Sequence, residues 1–420
     1  MNVGVLPGVT PRLMRDSGGW ESIAEYRDTG GYAELPGATA LLDMIEASGL
    51  RGRGGASFPA GRKMRAVRAG EGVPVIVANG EEGEPASVKD RWLLRTRPHL
   101  VLDGIRHAAV AVGADLAYVY LSDADAERSV IDAIAELAAQ PVELRVVRVD
   151  PAYIAGEETA AVRYLGGGPA KPADKPPRPF ESGVDGRPTL VSNVETLANL
   201  PLLTRLGVDG YRAQGTHTAP GTFLLTLGGS ASSPGLYEVP LGTPMARVLE
   251  AWGGVAPAGL LMGGYFGGLL GERGQESTLD YDSVALGCGA VTVLGREDCP
   301  VHVAAAVMAY FDRSNAGQCG SCFNGTAAMS AVLSALVART ATGEDVARLR
   351  RWSTMLPRRG ACGTLDGAAQ LAASLLREFP GAVASHVDGV CAACPADGRV
   401  DAAVPFAMEV PGVPAGLLRS

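Results

Sequence analysis

Residues 73–91, VPVIVANGEEGEPASVKDR, decide the fold class of this chain. The stretch opens with a continuous apolar run, 73–79, and passes into an acidic turn, which is typical of a buried parallel strand with its functional loop at the carboxyl end. Outward from it the chain alternates between predicted helices and strands, at 98–114 (helix), 116–121 (strand), 124–139 (helix) and 142–149 (strand). This β-α-β alternation predicts a layered α/β domain.

The remaining segments have other patterns. Residues 19–50 predict two short helices, and the Pro/Gly-rich stretch 166–190 predicts a long irregular connection, which is usually functional or disordered. Short β-rich runs with Gly/Pro turns over 221–295 predict a small, mostly β domain. A helical bundle is predicted from four segments, at 301–313, 324–340, 343–356 and 364–378. We expect domains at 1–205, 219–298 and 301–380, and an irregular Gly/Pro/Ala-rich tail at 381–420.

Composition and charge exclude some classes of function. The 420 residues carry 37 Lys+Arg against 45 Asp+Glu, a net charge of −8, which argues against a nucleic-acid or anionic-membrane surface. Residues 251–271 are uncharged and long enough to span a bilayer, but their eight glycines and one proline predict buried loops and short strands. The first twenty residues lack signal-peptide features, and seven clustered cysteines favour thiols or a metal site over disulfides. We expect a cytoplasmic protein without a transmembrane segment.

The first candidate site is the glycine-rich stretch 51–63, RGRGGASFPAGRK. Its glycines let backbone N–H groups approach a phosphate, and its positive charge comes from Arg51, Arg53 and Lys63. It is not a Rossmann fingerprint, since Ser57 stands where the third glycine would be, and no Gly-Lys-Ser/Thr makes it a P-loop. A phosphate cradle and a plain glycine turn both remain open.

Three polar motifs are further candidates: 79–85 (NGEEGEP), 156–159 (GEET) and 192–196 (SNVET). The carboxylates of the first repel phosphate but accept hydrogen bonds from ribose or ribityl hydroxyls and from ring N–H groups. Its alternative is a solvated acidic turn. For the other two the alternative is helix capping, which contributes about 1 kcal/mol.

The cysteines supply the last candidates. Cys319 and Cys322 form a CxxC pair, and with Cys362 they suit zinc, an iron–sulfur cluster or thiol redox chemistry, with one coordination position unaccounted for. Cys391 and Cys394 form a second pair, which is either metal-binding or a pair of small buried side chains. The five histidines lie in no metal-ligand spacing, so we expect them at helix caps or on the surface.

Taken in order, these motifs resemble those of the NADH-oxidising flavoprotein subunit of respiratory complex I and its relatives in bidirectional hydrogenases and formate dehydrogenases. The resemblance runs over about residues 20–380. GRGGASFPAGRK resembles the family's GRGG-x-GFPTG-x-K, NGEEGEPASVKDR its NADEGEPG-x-x-KDR, YIAGEETA its YICGEETA, and SNVETLANLP its NNVETLANVP. Four long matches in the right order are highly specific.

The resemblance implies a Rossmann-like FMN-binding domain, a small β-grasp domain of the SLBB type and a C-terminal helical bundle with a [4Fe–4S] cluster. The residues it places around FMN are Gly52, Arg53, Gly54, Gly55, Lys63, Asn79, Glu81, Glu82, Gly156, Glu157, Glu158, Ser192, Asn193 and Thr196. Those it places at the nicotinamide nucleotide are Phe58, Glu84, Tyr153, Glu158 and Lys175.

The implied reaction is hydride transfer from the nicotinamide to flavin N5, followed by one-electron transfer to a nearby cluster. The flavin carries this chemistry and the protein positions it. Glu84 and Glu158 are assigned to the catalytic site as orienting groups, because the hydride step needs no general acid.

The chain also departs from the family pattern. Against the cluster motif ESCGQCTPCREGT, Ala316 replaces the first ligand, and Cys319, Cys322 and Cys362 match the other three. Three thiolates imply a [4Fe–4S] cluster with another fourth ligand, a [3Fe–4S] cluster, or a lost cluster. Ala66 and Arg178 stand where the family has aromatic rings, which weakens adenine stacking and suggests a shift toward NADPH.

We therefore expect an FMN-dependent NAD(P)H oxidoreductase subunit that passes electrons to a ferredoxin-like or thioredoxin-like iron–sulfur protein, at the edge of a membrane complex or apart from one. The first alternative is an electron relay or scaffold subunit that has lost nucleotide oxidation. The second is a structural zinc protein using Cys319, Cys322 and Cys362.

Overall fold

The computed structural model describes residues 1–15, 19–137, 141–254, 257–391, 393–394, 400 and 404–411. The strands in these ranges are β1 (Asn2–Val5), β2 (Val75–Asn79), β3 (Leu116–Leu121), β4 (Glu143–Arg148), β5 (Thr189–Asn193), β6 (Thr222–Gly229), β7 (Gly235–Pro240), β8 (Thr243–Pro244), β9 (Gly259–Met262), β10 (Leu269–Leu270), β11 (Thr278–Leu279) and β12 (Ala290–Leu294).

The α-helices in the same ranges are α1 (Ile23–Asp28), α2 (Ala38–Ser48), α3 (Ala60–Arg68), α4 (Lys89–Thr96), α5 (Pro98–Val112), α6 (Ala124–Glu136), α7 (Glu158–Leu165), α8 (Val194–Ala198), α9 (Leu200–Arg212), α10 (Met245–Val248), α11 (Pro300–Ser314), α12 (Gly320–Val337), α13 (Gly343–Met355), α14 (Thr364–Glu378) and α15 (Pro380–Val387).

A four-stranded parallel sheet, in the order β4-β3-β2-β5, forms the first layer of the molecule. Both faces of β2 are buried: Ile76 and Ala78 pack into a large cluster with the side chains of α5, while Val75 and Val77 face a second cluster that includes Ala161 of α7. Helices on both faces explain the uninterrupted apolar run of β2. The predicted α/β layering is confirmed.

The sequence pattern predicts no strand at β5, which begins inside the stretch predicted as an irregular connection. β5 is five residues long and follows a proline, so it carries little local signal. β5 is an extended strand because it pairs with β2 over the full length of both strands. The two strands are far apart in the sequence, so a local pattern cannot reveal this pairing.

A second, mixed sheet has the order β1-β7-β6-β12-β9-β10, and a two-stranded sheet, β8-β11, lies beside it. Parallel pairs join β1 to β7 and β12 to β6, and the other pairs of the larger sheet are antiparallel. β1 comes from the amino terminus, where the sequence predicted no strand. The buried carboxylate of Glu238 on β7 accepts the backbone N–H groups of Arg12, Leu13 and Met14 and so fastens this segment to the sheet.

Residues 257–271 form β9, a 3-10 turn at Gly264–Phe266 and β10, which agrees with the prediction of buried loops and short strands. Among the described residues one helix, α12, has the length and apolar composition of a membrane span. This is weak evidence, because the core helix of a bundle passes the same test. α12 packs against α11, α13 and α14.

The predicted helical bundle is confirmed as α11 to α14. The expectation of an irregular tail after residue 380 is wrong for its first part, since α15 continues to Val387. Pro380 opens this helix at a position where its missing N–H costs nothing, and Val383 and His386 are buried against the bundle.

Candidate functional site

The polar motifs that follow β2 and β5 meet at one edge of the parallel sheet. Asn79 ends β2, Asn193 ends β5, and the two residues are register partners. The acidic turn therefore begins beside the N-terminus of α8, where the Asn193 side chain accepts the Glu195 N–H at 3.0 Å. Ligands of α/β sheets bind at this carboxyl edge.

The glycine-rich loop closes over the same edge. Its base is a narrow turn in which the Gly52 N–H donates to the Phe58 carbonyl at 2.9 Å. The Arg53 N–H donates to Thr196 Oγ1 at 2.8 Å, which fastens the loop to α8. A Cβ at Gly54 would lie 3.1 Å from Asn193 Cβ, so a side chain there would press the loop away from β5. Gly55 has a φ of +112°, which favours glycine.

The Arg53 side chain does not supply positive charge to this loop, contrary to the sequence expectation. It is 3% exposed, and its guanidinium donates to Tyr281 Oη at 2.5 Å and to the Thr222 carbonyl at 3.1 Å. Arg51 likewise pairs with Asp282 at 3.6 Å. The two arginines thus join the loop to Thr222 of β6 and to residues 281–282, and Lys63 is also paired, with Glu158 at 3.3 Å.

The backbone of the acidic turn packs directly against the backbone of residues 152–158. Asn79 Nδ2 donates to the Gly156 carbonyl at 2.7 Å. A Cβ at Gly83 would lie 2.7 Å from Tyr153 Cα, and one at Gly156 would lie 2.9 Å from the Glu81 carbonyl oxygen. These contacts require glycine at both positions, and they set the distance between the acidic turn and the 152–158 segment.

Glu81 is the carboxylate of this edge that the fold leaves incompletely satisfied. Its side chain is buried and accepts the Ala152 N–H on Oε1 at 3.2 Å, while Oε2 has no hydrogen-bond partner within bonding distance in the described structure. Burial raises the pKa of Glu81 to about 7, although the Ala152 N–H and the Ser122 side chain favour the ionised form. A buried oxygen without a partner costs about 1–3 kcal/mol, which a hydrogen-bond donor on a ligand would offset.

Glu82 bonds to protein donors through both of its carboxylate oxygens, and its predicted place beside a cofactor stays a prediction. These oxygens accept the Ser87 hydroxyl at 2.5 Å and the backbone N–H groups of Asp90 and Arg91 at 3.2 and 3.1 Å. The two N–H groups are orphan donors at the start of α4, so Glu82 acts as a helix cap.

Glu157 also caps a helix, as the alternative interpretation of its motif allowed. Its Oε2 accepts the backbone N–H groups of Thr159 and Ala160 at 2.8 and 3.1 Å, and its Oε1 accepts Lys175 Nζ at 2.7 Å. Its role is to hold the start of α7 and the long connection together.

Glu158 lies between two lysines. Lys63 Nζ approaches it at 3.3 Å and Lys175 Nζ at 3.4 Å. Burial would raise the pKa of Glu158, but the two ammonium groups outweigh it and hold the pKa below its ordinary value. The three side chains remain about a quarter exposed, so a ligand can reach them.

Glu84 and Tyr153 lie where the acidic turn meets the second sheet and the helical bundle. Glu84 accepts the Tyr265 N–H at 3.0 Å, and burial raises the pKa of Glu84 to about 7. The Tyr153 ring stacks on Phe266 at 5.0 Å between centroids and meets Tyr310 edge-on. The buried Tyr153 hydroxyl has no hydrogen-bond partner among the described residues.

Phe58 is 52% exposed at the base of the glycine-rich loop, so its ring offers an open stacking face. Arg178 is also exposed, and its backbone N–H donates to Glu181 at 2.7 Å. Ser192 and Thr196 are buried at the end of β5 and the start of α8. The open ring and the open guanidinium are therefore accessible to a ligand, whereas the two hydroxyls belong to the packed base of the site.

A buried charged network, which no sequence pattern predicts, lies at the start of α4 and the end of β5. Lys89 Nζ contacts Asp90 Oδ1 at 2.7 Å and Glu195 Oε2 at 3.0 Å, and Asn193 Nδ2 donates to Asp90 Oδ2 at 2.6 Å. Glu195 also accepts the Leu224 N–H at 2.9 Å. The Lys-Asp pair stood inside a quoted motif, but the sequence offered no sign that it was buried.

Cys319, Cys322 and Cys362 line one cleft that opens to solvent. Burial raises the pKa of Cys322 to about 11, with added repulsion from Cys362 and Cys319. The other residues that line the cleft are Pro172, Ala316, Gly317, Gln318, Gly360 and Ala361. Within the part of the chain that the structure describes, three sulfurs and no fourth Cys, His, Asp or Glu line this cleft, which suits a cluster with three cysteine ligands.

The expectation that the histidines lie at caps or on the surface is wrong for His99, His107 and His386, which are at most 1% exposed. His386 lies with Cys299, Cys391 and Cys394 in a second group of metal-ligating atoms. No sequence spacing links Cys299 to the other three, so only the fold reveals this group.

Comparison with known proteins defines the class. Residues 45–202 match the Nuo51 FMN-binding domain, and residues 302–386 match the NADH-ubiquinone oxidoreductase-F iron-sulfur binding region. The first range holds the sheet edge and its loops, and the second holds the cysteine cleft. The chain is thus of the flavoprotein oxidoreductase class with an iron–sulfur region, and the unpartnered Glu81 oxygen and the three-cysteine cleft fit FMN and a cluster.

The chain belongs to the family of the NADH-quinone oxidoreductase F subunits. It is 32% identical over 382 residues to the NADH-quinone oxidoreductase F subunit of Aquifex aeolicus, and this match covers 86% of this chain and 90% of that one. It is 30% identical over 401 residues to the NADP-reducing hydrogenase subunit HndC of Solidesulfovibrio fructosivorans, over 88% of this chain and 81% of that one.

A solved structure of a NAD+-reducing [NiFe]-hydrogenase in the H2-reduced state has the same fold, with a TM-score of 0.78 and 30% identity over 83% of this chain. The chain spans 63% of that hydrogenase chain. The predicted family, enzyme class and cofactor types are confirmed by these comparisons.

Proposed function

We propose that this chain oxidises a nicotinamide nucleotide with the help of FMN and passes single electrons through the cysteine cleft to an iron–sulfur protein partner. The observation that carries the proposal is that the glycine-rich loop, the acidic turn and the 152–158 segment lie at one edge of the parallel sheet, where Glu81 Oε2 lacks a partner. FMN, when bound, supplies the exchange between hydride and one-electron chemistry.

In this proposal the chain's own residues bind and orient. Glu81 Oε2 accepts a hydrogen bond from the cofactor, and the exposed Phe58 ring stacks on the nucleotide. Lys63 and Lys175 keep Glu158 ionised, and both ammonium groups remain partly exposed, so a phosphate group can reach them. Glu84 and Glu158 are proposed as orienting groups at the site of hydride transfer.

The exposed Arg178 guanidinium supports a shift toward NADPH, since arginine binds a 2′-phosphate with paired hydrogen bonds. We expect Arg178→Ala to lower kcat/KM for NADPH about tenfold and to leave that for NADH unchanged. Steady-state rates with both nucleotides test this expectation. A strong preference of the unmodified protein for NADH would contradict it.

Finer assignments belong to the same proposal. The sheet domain at 219–298 is assigned to the SLBB-type β-grasp class, with the α/β domain at 1–205 and the bundle at 301–380. The partner is assigned as a ferredoxin-like or thioredoxin-like iron–sulfur protein. A cytoplasmic place, at the edge of a membrane complex or apart from one, suits the net charge of −8.

The visible spectrum of anaerobically purified protein, before and after NADH or NADPH, tests the function. A flavin band that bleaches supports the oxidoreductase. A flavin that stays oxidised with both nucleotides contradicts nucleotide oxidation and supports the relay alternative.

A glycine pair tests the location of the flavin. Gly54→Ala is expected to lower FMN occupancy, because its Cβ would lie 3.1 Å from Asn193 Cβ. Gly37→Ala is the matched control, since a Cβ there meets no atom within 4 Å. Equal FMN content in both variants would contradict the proposed place of the cofactor.

A further inference from the structure

Four metal-ligating side chains lie together at a second site of the bundle, apart from the cysteine cleft. Cys299 precedes α11, His386 lies on α15, and Cys391 and Cys394 follow that helix. Their ligand atoms all lie within 4.8 Å of one another. His386 Nε2 is 3.6 Å from Cys299 Sγ and 3.1 Å from Cys394 Sγ.

These separations suit one tetrahedral ion. Zinc–sulfur bonds of about 2.3 Å and zinc–nitrogen bonds of about 2.0 Å place tetrahedral ligand atoms about 3.5–3.8 Å apart. In a four-iron cluster each thiolate binds a different iron, so the ligand atoms stand farther apart than this group allows. The set Cys₃His is a common ligand set of structural zinc sites.

The surroundings of the ligands hold them in binding orientation. His386 Nδ1 lies 2.8 Å from the Ala382 carbonyl, so it carries the proton and leaves the Nε2 lone pair directed at the sulfurs. Cys299 is the N-terminal cap residue of α11, and the partial positive charge of a helix N-terminus stabilises a thiolate.

The group is also closed. Cys299, His386 and Cys394 are buried and Cys391 is partly buried, which leaves little access for substrate. Arg339 Nη2 donates to the Cys391 carbonyl at 2.8 Å, so the segment is fixed to the end of α12 as well. Closed sites with four protein ligands are structural, whereas catalytic zinc keeps an open position.

We propose that Cys299, His386, Cys391 and Cys394 bind one structural Zn²⁺ ion, which fastens α15 and the segment after it to the start of α11. This site is separate from the iron–sulfur cleft and from the proposed flavin site. It requires no oxidant or reductant, and binding displaces thiol protons.

Metal analysis of the full-length protein, purified without oxygen and without added metal, tests the proposal. We expect about one zinc per chain, and a loss of zinc of about tenfold or more in Cys394→Ser, with iron and FMN content unchanged. Cys288→Ser is the matched control, because its thiol belongs to neither group. His386→Cys keeps four ligands and is expected to retain zinc.

Zinc-edge X-ray absorption of the unmodified protein decides the case if Cys394→Ser fails to fold. Three sulfurs at about 2.3 Å and one nitrogen at about 2.0 Å are expected. A protein without zinc, a disulfide among Cys299, Cys391 and Cys394 in intact mass analysis, or loss of iron in place of zinc from Cys394→Ser would overturn the proposal. None of these outcomes bears on flavin reduction, so the proposed function is tested separately.

Discussion

The two sulfur sites of the helical bundle differ in completeness and in exposure. The cleft of Cys319, Cys322 and Cys362 is open and brings three sulfurs together, with Ala316 among its lining residues. The group around His386 brings four ligand atoms together within 4.8 Å and is mostly buried. A closed, complete ligand set stabilises structure, and an open, incomplete set leaves the bound group accessible. Under the two proposals, the same bundle separates a structural role from an electron-transfer role.

The largest expected effect is the loss of iron from the open site. Cys322→Ser removes one of three sulfurs, so we expect iron content to fall about tenfold or more while zinc is unchanged. Iron and zinc content per chain and the visible spectrum measure this result. Cys288→Ser is the control and is expected to keep both metals. Unchanged iron in Cys322→Ser would show that the cleft does not hold the cluster.

The contrast between complete and incomplete groups extends to the sheet edge. Glu81 has an oxygen without a partner, while Glu82 caps α4. The folded pKa of Glu81, about 7, lies above its ordinary 4.5, so its contribution to stability is present below pH 4.5 and is lost as the pH rises through 7. In FMN-free protein we expect Glu81→Gln to raise the unfolding free energy by about 2 kcal/mol at pH 8 and to have little effect at pH 4.5.

Denaturant unfolding of both proteins at the two pH values measures this difference. Glu82→Gln is the matched control and is expected to cost about 1 kcal/mol at pH 8, because it weakens a helix cap. If Glu81→Gln destabilised the protein at pH 8, the carboxylate would have a partner there and the proposed open position would be wrong.

The smallest expected effect comes from completing the open site. Ala316 lines the cleft, and its carbonyl accepts Lys171 Nζ at 3.0 Å, which fixes its backbone. Ala316→Cys supplies a fourth sulfur, and we expect iron to be lost in air about threefold more slowly. The time course of iron release measures this, with Ala316→Ser as the control. Equal rates in the two variants would show that residue 316 does not reach the cluster.

Local patterns in the sequence predicted much of the fold. The strand at 116–121 and the four bundle helices follow from apolar runs and helical spacing, because burial on one or two faces imposes these periods. β1 and β5 were not predicted. Both strands are short, so their own residues give little local signal. Each is stabilised by pairing with a strand that is distant in sequence.

The candidate site divides in the same way. Motifs along the chain identified the glycine-rich loop, the acidic turn and Cys319, Cys322 and Cys362. The hydrogen-bond partners of each carboxylate could not be predicted from the sequence. Glu81 and Glu82 are adjacent in the same turn, but only Glu82 accepts N–H groups at the start of α4. The sequence predicted Arg53 as a phosphate-binding charge, but its guanidinium donates a hydrogen bond to the Thr222 carbonyl in the second sheet.

The sequence by itself determined the family, the α/β layer, the helical bundle and the absence of the first cluster cysteine, because each depends on residues close together in the chain. Only the tertiary structure decided which charged groups have hydrogen-bond partners within the protein. Only the tertiary structure brought Cys299 close to His386, Cys391 and Cys394. The reason is physical: hydrogen bonding, burial and metal geometry depend on atoms that folding brings within a few ångströms, whatever their separation along the chain.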